Sequence, residues 1–263
     1  MLWESVDPAV ALTTRFGFTD AGHAASWLAD TLWEAWAVRV DRCDRLVLSA
    51  SNLLAWLTAD GERIIAKCSV DPALFSRLAD VAALTAWLHA EGVPVAAPIA
   101  ASDGCLRVEL PGVSVGLLPV IEGDLLDVGE AKQVRKAGRM LATLHQALAT
   151  YPHPFDGGRP GRDRQLVHND FRSANILQHR AEITAILDFE EVAYRSRAAD
   201  LAKASVLLGT RYHDWGPTSP AARDAFVAAY SDVAPLTCAE RDELHAGVIA
   251  VLNHFGWTQN AIS

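Results

Sequence analysis

Hydrophobic positions follow helical and strand-like spacings in turn along the first part of the chain. In residues 24–38, Ala, Leu and Trp recur at helical spacing, which predicts a helix packed on a core. We expect the tryptophans of this helix to lie in that core: Trp27, Trp33 and Trp36. Three strand-like runs follow, at residues 45–48, 52–58 and 63–69. Asp60-Gly61 stands between the last two runs and predicts a hairpin.

A second helix is predicted after this hairpin. It should begin at Asp71-Pro72 and continue to about Glu91, because proline favours the first helical turn and Gly92 is typical of a helix end. Three more strand-like runs with turns between them follow, at residues 95–100, 106–110 and 113–120. The first part of the chain is therefore predicted to be an antiparallel sheet with helices.

The pattern changes after Pro119. Residues 121–127 are typical of a linker, and residues 151–164 form an irregular stretch rich in Pro, Gly and Arg. Helical patterns dominate the remainder, at residues 128–150, 197–208, 221–232 and 239–255, with short apolar runs at residues 176–177 and 183–187. We therefore predict an α+β fold in three parts: an N-terminal lobe (1–118), a hinge (119–127) and a helical C-terminal lobe (128–263).

Composition and charge exclude several classes of partner. The chain has 263 residues, of which 51% are hydrophobic, as expected for a globular protein with a sizeable core. Its formal net charge of −9 repels a phosphate backbone, so we expect no nucleic-acid partner. The same charge would tolerate a cationic substrate, although many proteins carry such a charge for solubility alone. No run of 18 apolar residues is present, so we expect no membrane span.

Four cysteines lie far apart and form no CxxC pair: Cys43, Cys68, Cys105 and Cys238. This spacing argues against a zinc site and against a redox motif. Residues 1–10 contain no basic stretch followed by an apolar run, so we expect no secretory signal. Buried free thiols in a reducing cytoplasm are the expected state of these residues.

The residues that can carry chemistry are concentrated at 166–188. Phosphoryl transfer from ATP requires a carboxylate beside the attacking hydroxyl, oxygen ligands for Mg²⁺ and a cation on the phosphates. Asp170 and Asn175 have the spacing of a kinase catalytic loop, in which these positions provide the base and a metal ligand. Asp188 follows an apolar run, as a second metal ligand would. Arg172 provides a cation that could stabilise the transferring phosphoryl group.

Each of these residues also has a structural interpretation. Asp170 and Asn175 could form turns and caps, although the complete set favours chemistry. We expect His168 to bond the backbone near Asp188 rather than to carry a proton. Glu190 could be an outer metal ligand or an ordinary surface carboxylate.

The motifs resemble the aminoglycoside phosphotransferase and choline kinase superfamily, which also contains the second class of homoserine kinases. The family pattern HxDxxxxN matches residues 168–175, and the acidic pair of the family matches Asp188 and Glu190. An Asp-Leu-Ala motif follows at residues 200–202, and GxxLAxLH matches residues 138–145. Within this resemblance Asp200 is expected to tie its helix to the catalytic loop, and we expect His145 to be a core histidine.

The resemblance, which spans roughly residues 45–230, implies a two-lobed protein-kinase-like fold that binds ATP between the lobes and Mg²⁺ at Asn175 and Asp188. The strand at residues 64–67 resembles the one that carries the phosphate-binding lysine, here Lys67. The loop that would cover ATP contains Ser49, Ser51 and Asn52 but no glycine. Its hydroxyls and backbone N–H groups are therefore expected to contact the phosphates.

One departure from the family pattern concerns Lys67. The helix after it should offer a glutamate to pair with this lysine, yet residues 78–88 contain none. Either Asp80 replaces the glutamate with a shorter reach, or the pair is absent.

Together these features predict an ATP-dependent kinase of a small hydroxylated molecule. A nucleotide-binding pseudokinase is the alternative, but a binding module would not need Asp170, Asn175 and Asp188 together. A protein kinase proper is disfavoured, because residues 200–202 follow Asp188 too soon for an activation segment. The sequence does not distinguish an antibiotic, an amino alcohol, a sugar or a homoserine-like acceptor, nor does it give an oligomeric state.

Overall fold

The computed structural model describes residues 6–156, 158, 161, 163–180 and 182–257. Contacts within the chain divide it into two compact units. The first comprises the chain up to Ala86 together with Ala96–Val120, and the second comprises Trp87–Val95 and the chain from Ile121 onwards. The functional boundaries at residues 118 and 128 stay a prediction.

The first unit contains a five-stranded antiparallel sheet with the strand order β1-β2-β3-β5-β4. Its strands are β1 (Val40–Leu48), β2 (Asn52–Ala59), β3 (Glu62–Ser69), β4 (Val108–Leu110) and β5 (Val113–Pro119). Every second residue of β2 is buried, as strand periodicity requires. Asp60 and Gly61 both have positive φ, at 48° and 81°, which suits the tight turn between β2 and β3. The predicted hairpin is therefore confirmed.

Two helices cover one face of this sheet: α1 (Pro8–Phe16) and α2 (Ala21–Trp36). Asp7 and Asp20 cap them: the Asp7 side chain accepts from two backbone N–H groups of the first turn, and the Asp20 side chain accepts from the His23 N–H. Helix α2 is as predicted from the sequence pattern, whereas α1 was not predicted. Leu28, Leu32 and Trp36 pack with the sheet in one core. Trp27 packs only partly against this core, and Trp33 is 61% exposed, so its predicted burial is wrong.

The connection from β3 to β4 differs from its prediction. A 3₁₀ turn (Pro72–Leu74) precedes α3 (Phe75–Ala90), so the helix begins later than Asp71-Pro72 suggests. The strand predicted at residues 95–100 is reduced to one bridge from Val95 to Ile186. Pro94 and Pro98 explain this, because proline has no N–H group to donate to a strand ladder.

Four helices build most of the second unit: α4 (Ala131–Ala149), α5 (Arg197–Leu207), α6 (Pro220–Val233) and α7 (Cys238–His254). Helix α4 packs on α6, and α5 packs on α7. Gly138 allows the first pair to approach closely, because a Cβ at this position would lie 2.2 Å from the carbonyl oxygen of Phe226. The predicted helices are confirmed, with ends that shift by a few residues.

Two small sheets are formed mainly by the part of the chain between α4 and α5. Strand β7 (Gln165–Val167) pairs with β10 (Ala193–Arg195). Strand β8 (Ile176–His179) pairs with β9 (Glu182–Ile186) and with the two-residue β6 (Asp124–Leu125). Residues 124–125, predicted to be linker, are therefore part of a sheet. These strands hold both ends of the segment from His168 to Asp188.

The cysteines do not all follow the expectation of buried thiols. Cys68 is buried and Cys43 is half-buried, but Cys105 and Cys238 are exposed, so the expectation is wrong for these two. Burial raises the pKa of the Cys68 thiol to about 12, so this thiol stays protonated at neutral pH. Among the described residues, no helix has the length and hydropathy of a membrane span.

Candidate active site

The catalytic loop, defined as residues 168–175, connects β7 to β8 and ends in a 3₁₀ turn (Ser173–Asn175). Asn169 adopts a left-handed conformation with φ of 63°, which asparagine tolerates better than most residues. The Asn169 N–H donates to Asp200 Oδ1 at 3.0 Å, and the Ser173 N–H donates to the Leu208 carbonyl at 2.7 Å. Helix α5 and the residue after it therefore fix the backbone of the loop.

His168 is fully buried at the start of the loop and orders the two segments that follow it. Its Nε2 lies 3.0 Å from the Leu187 carbonyl, and its Nδ1 accepts the Asp170 N–H at 3.2 Å. These partners require a neutral ring with its proton on Nε2, because an imidazolium could not accept the second bond. Burial lowers the pKa of His168, although nearby carboxylates oppose this shift. The predicted structural role beside Asp188 is therefore confirmed.

The carboxylate of Asp170 is held from two sides. Arg172 Nε donates to both of its oxygens, at 3.0 and 3.1 Å. Asn175 Nδ2 donates to Asp170 Oδ2 at 2.8 Å and to the Asp170 carbonyl at 2.9 Å. The Asp170 side chain keeps 18% of its surface exposed, whereas Arg172 keeps 6%. The carboxylate is thus oriented by its neighbours and still reaches the surface of the second unit.

Asn175 and Asp188, the two predicted metal ligands, are connected through the backbone. The Leu187 N–H donates to the Asn175 carbonyl at 2.8 Å, and Ile176 pairs with Ile186 in the small sheet. Asn175 uses its amide nitrogen to donate to Asp170, so its Oδ1 is the side-chain atom that could ligate a metal ion. Asp188, two residues after the end of β9, is exposed and adopts a left-handed conformation with φ of 62°. Strained positions of this kind cluster at functional sites.

The donor set of these two residues fits magnesium. Both offer hard oxygen ligands, and Mg²⁺ in kinase sites takes few protein ligands beside water and phosphate oxygens. No cluster of three His, Cys, Asp or Glu side chains suited to a metal occurs in the described part of the chain. A site for Mg²⁺ would therefore depend on the nucleotide as well as on the protein. Glu190 lies in the 3₁₀ turn Phe189–Glu191.

A hydrogen-bonded row of buried polar side chains, Asp200, His145 and Tyr230, supports the loop. Asp200 is 1% exposed, and its Oδ2 lies 2.9 Å from His145 Nε2, whose Nδ1 lies 2.8 Å from the hydroxyl of Tyr230. Burial raises the pKa of Tyr230 to about 12, so its hydroxyl keeps the proton. Through these hydrogen bonds and the bond from the Asn169 N–H to Asp200, helices α4, α5 and α6 are connected to the loop. The predictions that Asp200 ties its helix to the loop and that His145 is a core residue are confirmed.

Lys203 is a loop contact that the sequence analysis missed. Its Nζ donates to the Asn169 carbonyl, and with Asp170 and Asp200 it lines a small recess beside the loop. Lys203 stands three residues after Asp200, so both side chains project from one face of α5. That spacing was the available signal. Helix α5 therefore holds Asn169 at its N–H and at its carbonyl.

The predicted phosphate-covering loop is the β1–β2 turn of the first unit, residues 49–52. The Ser49 N–H donates to the Asn52 carbonyl at 2.9 Å, and the Asn52 N–H donates to Ser49 Oγ at 3.1 Å. Val70 N–H donates to the Ser51 carbonyl at 3.0 Å, and Arg15 of α1 donates to the Ser49 carbonyl at 3.0 Å. Side chains and neighbouring backbone hold this glycine-free turn.

Lys67 projects from β3 on the face of the sheet away from α1 and α2. Its neighbours Ala66 and Cys68 point the other way and belong to the core that the helices cover. Arg107, which sequence reasoning also missed, donates to the Lys67 carbonyl at 3.3 Å. Its guanidinium fills the space above Gly116, the residue paired with Lys67, since a Cβ there would lie 2.5 Å from Arg107 Nη1. A second cation therefore lies on the face of Lys67, whereas pairing of Lys67 with Asp80 stays a prediction.

The comparisons with known proteins agree with this geometry. The family model described as the phosphotransferase enzyme family matches residues 43–162 and 154–245. The homoserine kinase of Neisseria meningitidis serogroup B is 25% identical over 199 residues, a match that covers 60% of this chain and 63% of that kinase. The chain thus spans less than two thirds of the length of this relative.

Solved structures share the fold at low identity. The spectinomycin phosphotransferase APH(9)-Ia, in complex with ADP and spectinomycin, has a TM-score of 0.61 at 13% identity and covers 90% of both chains. A microcompartment-associated aminopropanol kinase has a TM-score of 0.66 at 17% identity and covers 88% of both chains. The macrolide 2'-phosphotransferase MphH from Brachybacterium faecium has a TM-score of 0.58 at 20% identity, with 87% of this chain and 93% of that chain covered.

These findings confirm the predicted α+β fold of the kinase-like type and the predicted resemblance. The family model covers well over half of the chain and includes both the β1–β2 turn and the catalytic loop. The chain belongs to the phosphotransferase enzyme family.

Proposed function

We propose that this protein is a Mg²⁺-dependent kinase that transfers the γ-phosphate of ATP to a hydroxyl group of a small molecule. The observation that carries this proposal is the orientation of the Asp170 carboxylate by Arg172 on one side and Asn175 on the other. A phosphotransferase needs such a fixed carboxylate beside the attacking hydroxyl. Membership of the family and the likeness to nucleotide-bound relatives support the same conclusion.

Asp170 would orient the acceptor hydroxyl and take its proton late in the transfer. In a loose transition state the nucleophile needs little prior deprotonation, so orientation matters more than basicity. The contacts from Arg172 and Asn175 suit this role, since they stabilise the carboxylate form and fix its direction.

Arg172 contributes most clearly as a positioning residue. Its Nε is engaged with Asp170, and the side chain is almost completely buried. Direct stabilisation of the transferring phosphoryl group by Arg172 stays a prediction. Asn175 and Asp188 would hold Mg²⁺, which supplies charge neutralisation on the phosphate oxygens when it is bound. Lys67, Ser49, Ser51 and Asn52 would contact the nucleotide phosphates.

The relatives are named for different small molecules: homoserine, aminopropanol, spectinomycin and macrolides. Their names therefore define the acceptor only as a small molecule. A pseudokinase remains the alternative proposal. The departure from the family pattern that prompts it is that residues 78–88 contain no glutamate. The hydrogen bonds around Asp170 favour the kinase, because nucleotide binding alone does not need an oriented carboxylate.

The test is transfer of labelled phosphate from ATP to a panel of hydroxylated amines, amino acids, sugars and antibiotics. We expect at least one acceptor to be phosphorylated in the presence of Mg²⁺ and none after chelation. Calorimetry should show that ATP binds more tightly with Mg²⁺, and that Asp188→Ala removes this difference. Equal ATP affinity with and without Mg²⁺ would contradict the metal site. ATP binding without transfer to any acceptor would favour the pseudokinase.

A further inference from the structure

Three residues lie side by side across the sheet of the first unit: Lys67 on β3, Gly116 on β5 and Arg107 immediately before β4. Lys67 pairs with Gly116 in the antiparallel ladder. Val108 pairs with Val115, so the register of β4 and β5 places Arg107 opposite Gly116. Side chains of paired residues lie on the same face of a sheet. The side chains of Lys67 and Arg107 therefore flank the bare backbone of Gly116 on one face.

The Arg107 side chain crosses Gly116 and reaches the strand of Lys67. Its Nη2 donates to the Ser114 carbonyl at 2.9 Å and to the Lys67 carbonyl at 3.3 Å. Its Nε donates to Ser114 Oγ at 2.9 Å, and Ser114 is fully buried. These bonds join β5 to β3 at the lysine, in addition to the backbone bonds of the ladder.

The absence of a side chain at Gly116 allows this crossing. A Cβ at this position would lie 2.5 Å from Arg107 Nη1, 3.3 Å from Cζ and 3.5 Å from Cγ, so its three nearest neighbours all belong to Arg107. The guanidinium thus fills the space that a side chain on β5 would take. A larger residue at 116 must displace it, and because the displaced group ends a flexible side chain, the strand itself need not move.

The position of the guanidinium limits the conformations that Lys67 can adopt. Because it closes the space above β5, the stem of the lysine cannot lean over Gly116. Like charges repel, which favours lysine rotamers that direct the ammonium away from Arg107. The chain has a formal net charge of −9, yet this face of the sheet carries two neighbouring cations, an arrangement that favours an anionic ligand.

We propose that Arg107 is a positioning residue for nucleotide binding: it ties β3 to β5 at Lys67 and keeps the lysine ammonium directed towards the phosphates of ATP. The inference rests on the proposed function, which assigns Lys67 to those phosphates. Arg107 acts through Lys67, because its own bonds hold it on the sheet. The shape of the guanidinium matters as well as its charge, since its fork of donors bonds two strands at once, whereas an ammonium is a point charge.

Calorimetry of ATP binding in the presence of Mg²⁺ tests this proposal without an acceptor. Gly116→Ala displaces the guanidinium but keeps its charge, and the Kd for ATP should rise about three- to tenfold, the range of one net hydrogen bond. Arg107→Lys keeps the charge without the fork and should give a similar rise. Gly161→Ala is the matched control, since Gly161 is exposed and a Cβ there would make only ordinary contacts, the nearest at 3.8 Å. It should leave the Kd within about twofold.

Two double variants separate positioning from other roles. In Arg107→Ala no guanidinium remains to be displaced, so adding Gly116→Ala should change the Kd by less than about twofold. In Lys67→Ala the residue on which Arg107 acts is gone, so adding Gly116→Ala should again change the Kd by less than about twofold. A loss that persists in the first background would mean that the strand itself is disturbed. A loss that persists in the second would mean that Arg107 acts on the nucleotide without the lysine, and either result would overturn the inference.

A Kd that stays unchanged in Gly116→Ala or in Arg107→Lys would also overturn the inference, and transfer by the wild-type protein would then still support the kinase. Arg107→Lys decides alone if Gly116→Ala does not fold. The expected rises in Kd, without transfer to any acceptor, would support the inference and contradict the proposed function.

Discussion

The catalytic loop of the second unit and the β1–β2 turn of the first unit are held in different ways. Around the loop, side chains from three helices converge: the buried Asp200, His145 and Tyr230 and the half-buried Lys203. Around the turn, the contacts include short-range bonds between Ser49 and Asn52 and longer-range bonds from Arg15 to Ser49 and from Val70 to Ser51. The bonds at the turn are partly buried, whereas those around Asp200 and His145 are fully buried, and buried polar networks are costly to disturb. Substitutions should therefore have larger effects at the catalytic loop than in the turn and the five-stranded sheet of the first unit.

The largest effect is expected for Asp170→Asn. The change keeps the shape of the side chain and removes its charge, so the acceptor hydroxyl loses its proton acceptor. Turnover should fall about a hundred- to ten-thousand-fold, which is typical of a general base, while ATP affinity changes little. Steady-state kinetics with the identified acceptor measures this. Asp242→Asn, at an exposed position of α7, serves as the matched control and should keep wild-type turnover. More than about a tenth of wild-type turnover in Asp170→Asn would mean that Asp170 only shapes the loop.

Asp200→Ala tests the support beneath the loop. The variant leaves the Asn169 N–H and the His145 ring without their buried partner, and each orphaned group costs about 1–3 kcal/mol. We expect the free energy of unfolding to fall by roughly 2–5 kcal/mol in denaturant titrations. Asp232→Ala removes an exposed carboxylate whose pair with Arg139 has side chains 63% and 58% exposed, so it should change stability by less than ~1 kcal/mol. An equal loss of unfolding free energy in the two variants would mean that the buried bonds of Asp200 stabilise the protein no more than an exposed ion pair does.

In the first unit, Lys67→Ala probes the sheet face that the proposal assigns to phosphate. A charged hydrogen bond contributes about 1.5–3 kcal/mol, so the KM for ATP should rise roughly ten- to a hundredfold and turnover should fall. Lys136→Ala removes a lysine whose ion pair with Glu182 is largely exposed, and it should leave the KM for ATP unchanged. An unchanged KM in Lys67→Ala would show that another cation holds the phosphates. Arg107, on the same face, is then the next residue to change.

The two regions also differ in how far the sequence predicts them. His168, Asp170 and Asn175 lie within eight residues, so their spacing alone predicts the loop, and the bonds from His168 to Leu187 and from Asp200 to Asn169 follow the prediction. The partner of His145 could not be foreseen, because Tyr230 is 85 residues away and only the packing of α4 on α6 brings them together. Likewise, no pattern near Ser49 indicates that Arg15 of an unpredicted helix would bond to it.

The smallest expected effect is the dependence of stability on pH. It arises at the catalytic loop, from the buried ring of His168. Because burial lowers the pKa of His168, the unfolded chain binds a proton at this residue at a higher pH than the folded chain does. Stability from this residue is therefore complete above the unfolded pKa of about 6.5 and is lost as pH falls from there towards the folded pKa. The loss has a slope of up to about 1.4 kcal/mol per pH unit, the value for one proton. His168→Gln has an uncharged amide that can donate to Leu187 and accept from Asp170, so its stability should fall less between pH 7.5 and 5.5 than that of wild type in denaturant titrations. Identical pH dependence in the two proteins would mean that another group controls the acid loss of stability and that neutral His168 does not hold the loop.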